Sequence, residues 1–228
     1  KCFGVYMADR KTVNLAERMK VTVCLNPVHS ATGPLGVALG YELFAHMLNT
    51  DADMMKMARM VAYDEGLPVV QDPGILSPQA FVDDRFPNEY LGDTNLRLAV
   101  DVSQMVGIRF GETIKAYVEK YGDASRLTAL PLGIAGWLRY MLAVDDAGKK
   151  YELAPDPMNE EIQEQLKDIV VGQPETFTDQ LRPILSNERL FFIDLYKAGV
   201  GEKVENMFRE MIAGPGAIKA TIHKYVNA

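Results

Sequence analysis

Along almost the whole chain, apolar residues recur every three or four positions, and no alternating run bounded by turn signals interrupts them. This pattern predicts an all-α fold, with residues 1–228 read as one helical domain. Cap residues suggest the helix starts. Ser77 precedes a first-turn proline, Pro78; Ser125 opens an apolar segment through Val144; Asn187 opens another through Ala198. Gly66, Gly122, Gly199 and Gly214 read as stops. Between Asp51 and Glu65, the residues Met54, Met57, Met60 and Val61 share one helical face, with Met55 nearby, and the stripe reads as core filler. Two stretches break the pattern. Asp83 to Leu96, with Pro87, Asn88, Gly92 and Asp93, reads as a long connection, and Ala154 to Met158 carries two prolines. Long connections inside compact domains tend to be functional.

Composition narrows the class. With 228 residues, 48% hydrophobic and 24% charged, the chain is globular, and Cys2 and Cys24 are too few for a disulfide framework. No secretory segment and no membrane-length apolar run is present, so a cytoplasmic setting is the default expectation. The sequence opens at Lys1, within what reads as a loop, which suggests a piece of a longer protein. The net charge of -7 argues against nucleic acid and anionic membranes as partners. Its location matters more than its size. Between Tyr151 and Gln180 lie eight carboxylates and one lysine, which account for the whole net charge. That window reads as a solvated helix face with its loops, and the rest of the chain is free to receive an anionic small molecule.

Candidate chemistry concentrates between Asp9 and Tyr41. Val13, Ala16 and Met19 are spaced as on a helix running from Lys11 to about Lys20. The β-branched run Val21-Thr22-Val23-Cys24-Leu25 is a poor helix former, and Asn26-Pro27 looks like a cap followed by a first-turn residue. A second helix should start there, with Asn26 and His29 together at its N-terminal end, where free N–H groups and the helix dipole favour partial negative charge. On one unbroken helix Lys20 and His29 would lie about 180° apart. A break before Pro27 is what would let Lys20, Asn26 and His29 converge. A lysine that trades a proton, with an amide and an imidazole that hold an oxygen, suits chemistry at a carbonyl or alcohol. The bland alternative for the same residues is a cap, a core histidine and a surface lysine.

The string MKVTVCLNPVHSATGPLG resembles the signature region of the polyol-specific long-chain dehydrogenases, in which a lysine precedes an Asn-x-x-His element. The resemblance implies that Lys20, Asn26 and His29 are the catalytic base and the groups that bind the reacting oxygen. Many members place four residues between the lysine and the asparagine; here five intervene, an offset that a bulge in the helix would absorb. A second stretch, RFPNEYLGDTNLRLAVDVSQMVGIRFGETIKAY, resembles the segment that brings an arginine and, eight residues on, a lysine to the substrate. The arginine falls on Arg97. Met105 stands where the lysine is expected, and Arg109 and Lys115 are nearby replacements. The resemblance runs from about Val5 to the C-terminus and is that of the family's helical C-terminal domain. It implies NAD as cofactor, held mainly by the chain's own N-terminal Rossmann-type domain, which this sequence does not contain, and a sugar acid or polyol as substrate. No metal is implied, since His29, His46 and His223 do not cluster. The LNPVHS and RFGETIK runs look closest to fructuronate reductases (mannonate oxidoreductases), with mannitol 2-dehydrogenases next. The glycines of GPLG and GVALG lie in the helix after His29, where small residues permit close helix packing. The competing class is a non-catalytic helical interaction domain that docks through its acidic window.

Overall fold

The computed structural model describes residues 5–86 and 92–228. Every regular element among them is helical, and β-type pairing occurs only at isolated bridges such as Leu43 with Thr94. The expected all-α class is thus observed. Pro87 and Asn88 of the expected long connection lie outside the described residues, as does Cys2.

The chain begins with α1 (Arg10–Arg18), capped by Asp9, whose Oδ1 accepts the N–H of Thr12 at 2.7 Å. It does not stop at the β-branched run. It widens into a π-helical turn, Met19–Cys24, in which Leu25 N–H bonds the carbonyl of Lys20, five residues back, at 3.0 Å. The sharp change of direction comes at Leu25, and α2 (Asn26–Ala38) follows. Next come α3 (Phe44–Thr50), α4 (Ala52–Arg59) and a second π turn, Met60–Gly66. Past the Ser77 cap runs α5 (Pro78–Arg85). The short α6 (Asn95–Leu98) and α7 (Val102–Val106) lead into a third π turn, Gly107–Gly111, and α8 (Glu112–Tyr121). The remaining helices are α9 (Ala129–Tyr140), α10 (Asn159–Leu166), α11 (Arg182–Leu185), α12 (Glu188–Phe191), α13 (Gly201–Met211) and α14 (Ala217–Val226).

Two helices are shorter than the apolar pattern predicts. The segment after Ser125 becomes helical only at Ala129, because Ser125 bonds back to Asp123 in a turn of its own. Asn187 does cap a helix, but α12 ends at Phe191, since Phe192 takes a left-handed φ of 63°. The predicted stops at Gly122, Gly199 and Gly214 all have positive φ.

The core is organised around α9, whose residues are buried along its entire length and which packs against α2 on one side and α13 on the other. A carboxylate fixes its start. Glu65, 5% exposed in the second π turn, accepts the N–H groups of Thr128, Ala129 and Leu130 at 2.5, 2.6 and 2.8 Å. Those are donors that a helix start cannot pair internally; burial pushes the Glu65 carboxyl above the usual carboxylate range, while these three bonds pull it back. At the other end Arg139, wholly buried, donates to the carbonyls of Met211 and Val144 at 3.1 and 2.6 Å and ties α9 to α13. The methionine stripe is core, as expected: Met54, Met57 and Val61 are buried and Met60 is half-buried. Gly33 and Gly36 let α2 approach α6 closely, since a Cβ on either would meet Leu98 or Asn95 at under 3 Å. Gly40 lies beyond the end of α2 with φ +81° and ends the helix rather than packing it.

The three π turns matter for function because they sit together: the first packs against both the second and the third. Two of them carry candidate site residues, Lys20 on the first and Arg109 on the third. Widened turns of this kind frequently mark functional sites.

Candidate functional site

Asn26 is the first residue of α2, and the cap position belongs to Leu25, with φ -117° and ψ -62° and no side-chain cap bond. The expectation that Asn26 caps the helix is therefore wrong by one position. The physical reason is that the π turn carries helical backbone up to Cys24, so the break falls one residue early. The consequence is chemical. The Asn26 amide is half-buried, is not spent on its own helix, and has no hydrogen-bond partner among the described residues.

His29 lies on the next turn and is half-buried, its ring edge-to-face with Phe44 at 5.1 Å. Burial pushes its imidazole down to about 4, and the Arg109 guanidinium pushes the same way against an opposing pull from Asp93. The ring is thus neutral at physiological pH, one nitrogen a donor and the other an acceptor. Because the folded value lies below the usual 6.5, this neutral state stabilises the fold above pH 6.5 and stops doing so as the pH falls toward 4.

Arg109 reaches this neighbourhood from the third π turn, where its Nη1 donates to Ser30 Oγ at 2.6 Å. Its Nε is buried without a hydrogen-bond partner, and it forms no ion pair among the described residues. An unpaired, largely desolvated guanidinium beside a neutral imidazole favours an anionic ligand. Arg97 differs: it is 76% exposed and ion-paired with Asp93, the carboxylate whose field also reaches His29. Met105 is half-buried on α7.

Lys20 is exposed, with Nζ 5.7 Å from the centre of the Phe81 ring. It borders an open groove of about 760 Å³ with Tyr6, Val13, Glu17, Phe81 and Arg85 among its walls. His29 faces a different space, a narrow, largely apolar crevice of about 20 Å³ lined also by Phe44, Met55, Arg85 and Phe86, with room for about one water. The groove is large enough for a small organic molecule and the crevice is not. Lys20 and His29 therefore do not line one cavity. Arg85 borders both, and the sequence reading assigned it no role.

Other chemistry is missing from the described residues. No group of three or more potential metal ligands occurs among them, Cys24 is buried with its thiol pushed up to about 12, and no helix among them is long and apolar enough to span a membrane. A dinucleotide cradle is also missing: no strand leads through a glycine-rich turn into a helix among the described residues, so these residues do not fit the pyrophosphate of NAD.

Comparison with known proteins gives one consistent answer. The family model described as "Mannitol dehydrogenase C-terminal domain" matches residues 13–212. D-mannonate oxidoreductase of Thermotoga maritima is 46% identical over 98% of this chain and 42% of its own length. D-mannonate oxidoreductase of Escherichia coli is 28% identical over 78% of this chain and 35% of its own. Among solved structures, a Pseudomonas fluorescens mannitol 2-dehydrogenase ternary complex with NAD and D-mannitol superposes with a TM-score of 0.81 at 21% identity, covering 99% of this chain and 43% of that one. The chain thus spans between about a third and two fifths of the length of these relatives.

Proposed function

Since the chain belongs to the mannitol dehydrogenase family, as its C-terminal domain, we propose that it is the substrate-binding and proton-transferring part of an NAD-dependent sugar-acid oxidoreductase of the fructuronate reductase or D-mannonate oxidoreductase type. Lys20 takes or returns the proton of the reacting hydroxyl, a role that its exposed amine on the wall of a ligand-sized groove supports. The family motif gives Asn26 and His29 the reacting oxygen: Asn26 offers an uncommitted amide and His29 a neutral hydrogen-bond donor, and because His29 faces a crevice separate from the Lys20 groove, this role requires the two spaces, which share Arg85, to join around the substrate. Arg109 and Arg97 bind the substrate's polar groups. The observation that carries this reading is the neutral imidazole at the mouth of α2, next to an unpaired guanidinium and one break of the chain away from the lysine-bearing π turn. The unpaired Arg109 adds positive charge to the site, and that field favours a sugar acid over a neutral polyol such as mannitol.

NAD is held in the complete enzyme mainly by residues outside this chain, and no step on the cofactor is assigned to the residues described here. Calorimetry tests this division. NAD titrated into the 228-residue chain should give no saturable heat, whereas the full-length enzyme should bind it. A low-micromolar dissociation constant for the chain by itself would overturn the division, and a full-length enzyme that ignores NAD would overturn the cofactor.

A further inference from the structure

Arg85 closes the last turn of α5, with its guanidinium carbon 5.1 Å from the centre of the Phe81 ring, four residues earlier on the same helix. Lys20 approaches that same ring from the first π turn, at 5.7 Å. Two cations from distant parts of the chain thus share one aromatic ring, whose π electrons attract each of them and help keep both at the groove wall. The groove also holds Glu17 and Asp84. Arg85 pairs with Asp84, its neighbour in sequence, at 3.0 Å, with the two side chains 40% and 70% exposed. A pair so exposed contributes little and is readily exchanged for a ligand. Arg85 also borders the His29 crevice, so of the basic side chains it links the lysine and histidine sides of the site.

From this position we infer that Arg85 is a specificity-determining residue that receives the carboxylate of the substrate while Lys20 serves the reacting hydroxyl. The inference rests on the sugar-acid reading above and extends it to a residue that reading does not use. A guanidinium presents a planar fork that matches a carboxylate with two parallel hydrogen bonds, and its hold on a neutral hydroxyl at the same place is weaker.

The test is the ratio of kcat/KM for D-mannonate to that for D-mannitol, measured in the full-length enzyme and its Arg85→Gln and Arg85→Lys variants, with far-ultraviolet circular dichroism as a check on folding. Arg85→Gln should lower the ratio by roughly 10- to 100-fold, mainly through KM for the acid, because one charge-assisted pair is lost. Arg85→Lys should recover part of it, since the charge returns without the fork. An unchanged ratio, whether both activities fall together or neither falls, would overturn the inference, and so would a complete recovery by lysine of a loss located in kcat. A wild-type enzyme inactive on both compounds would instead overturn the fructuronate reductase or D-mannonate oxidoreductase reading, and this inference with it.

Discussion

Replacing Lys20 with alanine in the full-length enzyme should lower kcat by about 100-fold or more, the usual scale for a positioned acid–base group, with a much smaller change in KM. The expectation comes from geometry: the ammonium lies exposed at the wall of the groove, held at the face of Phe81, and its backbone is set by the π turn that places Leu25 N–H on the Lys20 carbonyl. Lys20→Arg separates proton transfer from charge. Arginine keeps the positive charge but does not release a proton in proteins, so it should be as poor as alanine. An active arginine variant would assign Lys20 to binding, and unchanged kinetics in Lys20→Ala would place the base elsewhere.

The largest structural effect should follow from a single methyl group at Gly111. A Cβ there would lie 1.7 Å from the carbonyl oxygen of Phe191 and 2.7 Å from its carbonyl carbon. Both are backbone atoms, so no side chain can rotate away; the third π turn and α12 would have to move apart. Gly111 ends the turn that carries Arg109, and such a movement would also disturb the Arg109 to Ser30 bond. Overpacking against backbone at a buried site should cost about 3 kcal/mol or more. For a chain of this size that corresponds to a fall in Tm of roughly 6–12 °C. Gly92→Ala, where a Cβ meets nothing within 4 Å, is the control and should stay within about 0.5 kcal/mol. Thermal unfolding followed by circular dichroism measures both, and an unshifted Tm for Gly111→Ala would contradict the described packing.

Local features of the fold were legible in the sequence, and tertiary ones were not. The caps at Ser77 and Asn187, the left-handed glycines and the buried face of α4 follow from residue chemistry within a turn or two. The first π turn lies where the extra residue between Lys20 and Asn26 called for a bulge, whereas the second and third escaped because each adds one residue to an otherwise helical spacing. The β-branched run from Val21 to Val23 read as a break, although the chain winds on as far as Cys24. The same widening hid the true cap at Leu25 and freed the Asn26 amide. The bond from Arg109 to Ser30, 79 residues apart, and the approach of Lys20 to Phe81 exist only once the π turns are packed. Arg85 was within reach: Phe81 and Arg85 are four apart on a capped helix, the spacing at which an aromatic ring and a guanidinium meet.

The most direct measurement is the steady-state activity of the full-length wild-type enzyme, with NAD or NADH, against a panel of hexuronates, aldonates and neutral polyols. The account predicts turnover that depends on the nicotinamide cofactor and a higher kcat/KM for the fructuronate and D-mannonate pair than for fructose and mannitol. Equal or greater efficiency with the neutral pair would contradict the sugar-acid assignment, and no turnover of any member would contradict the oxidoreductase itself.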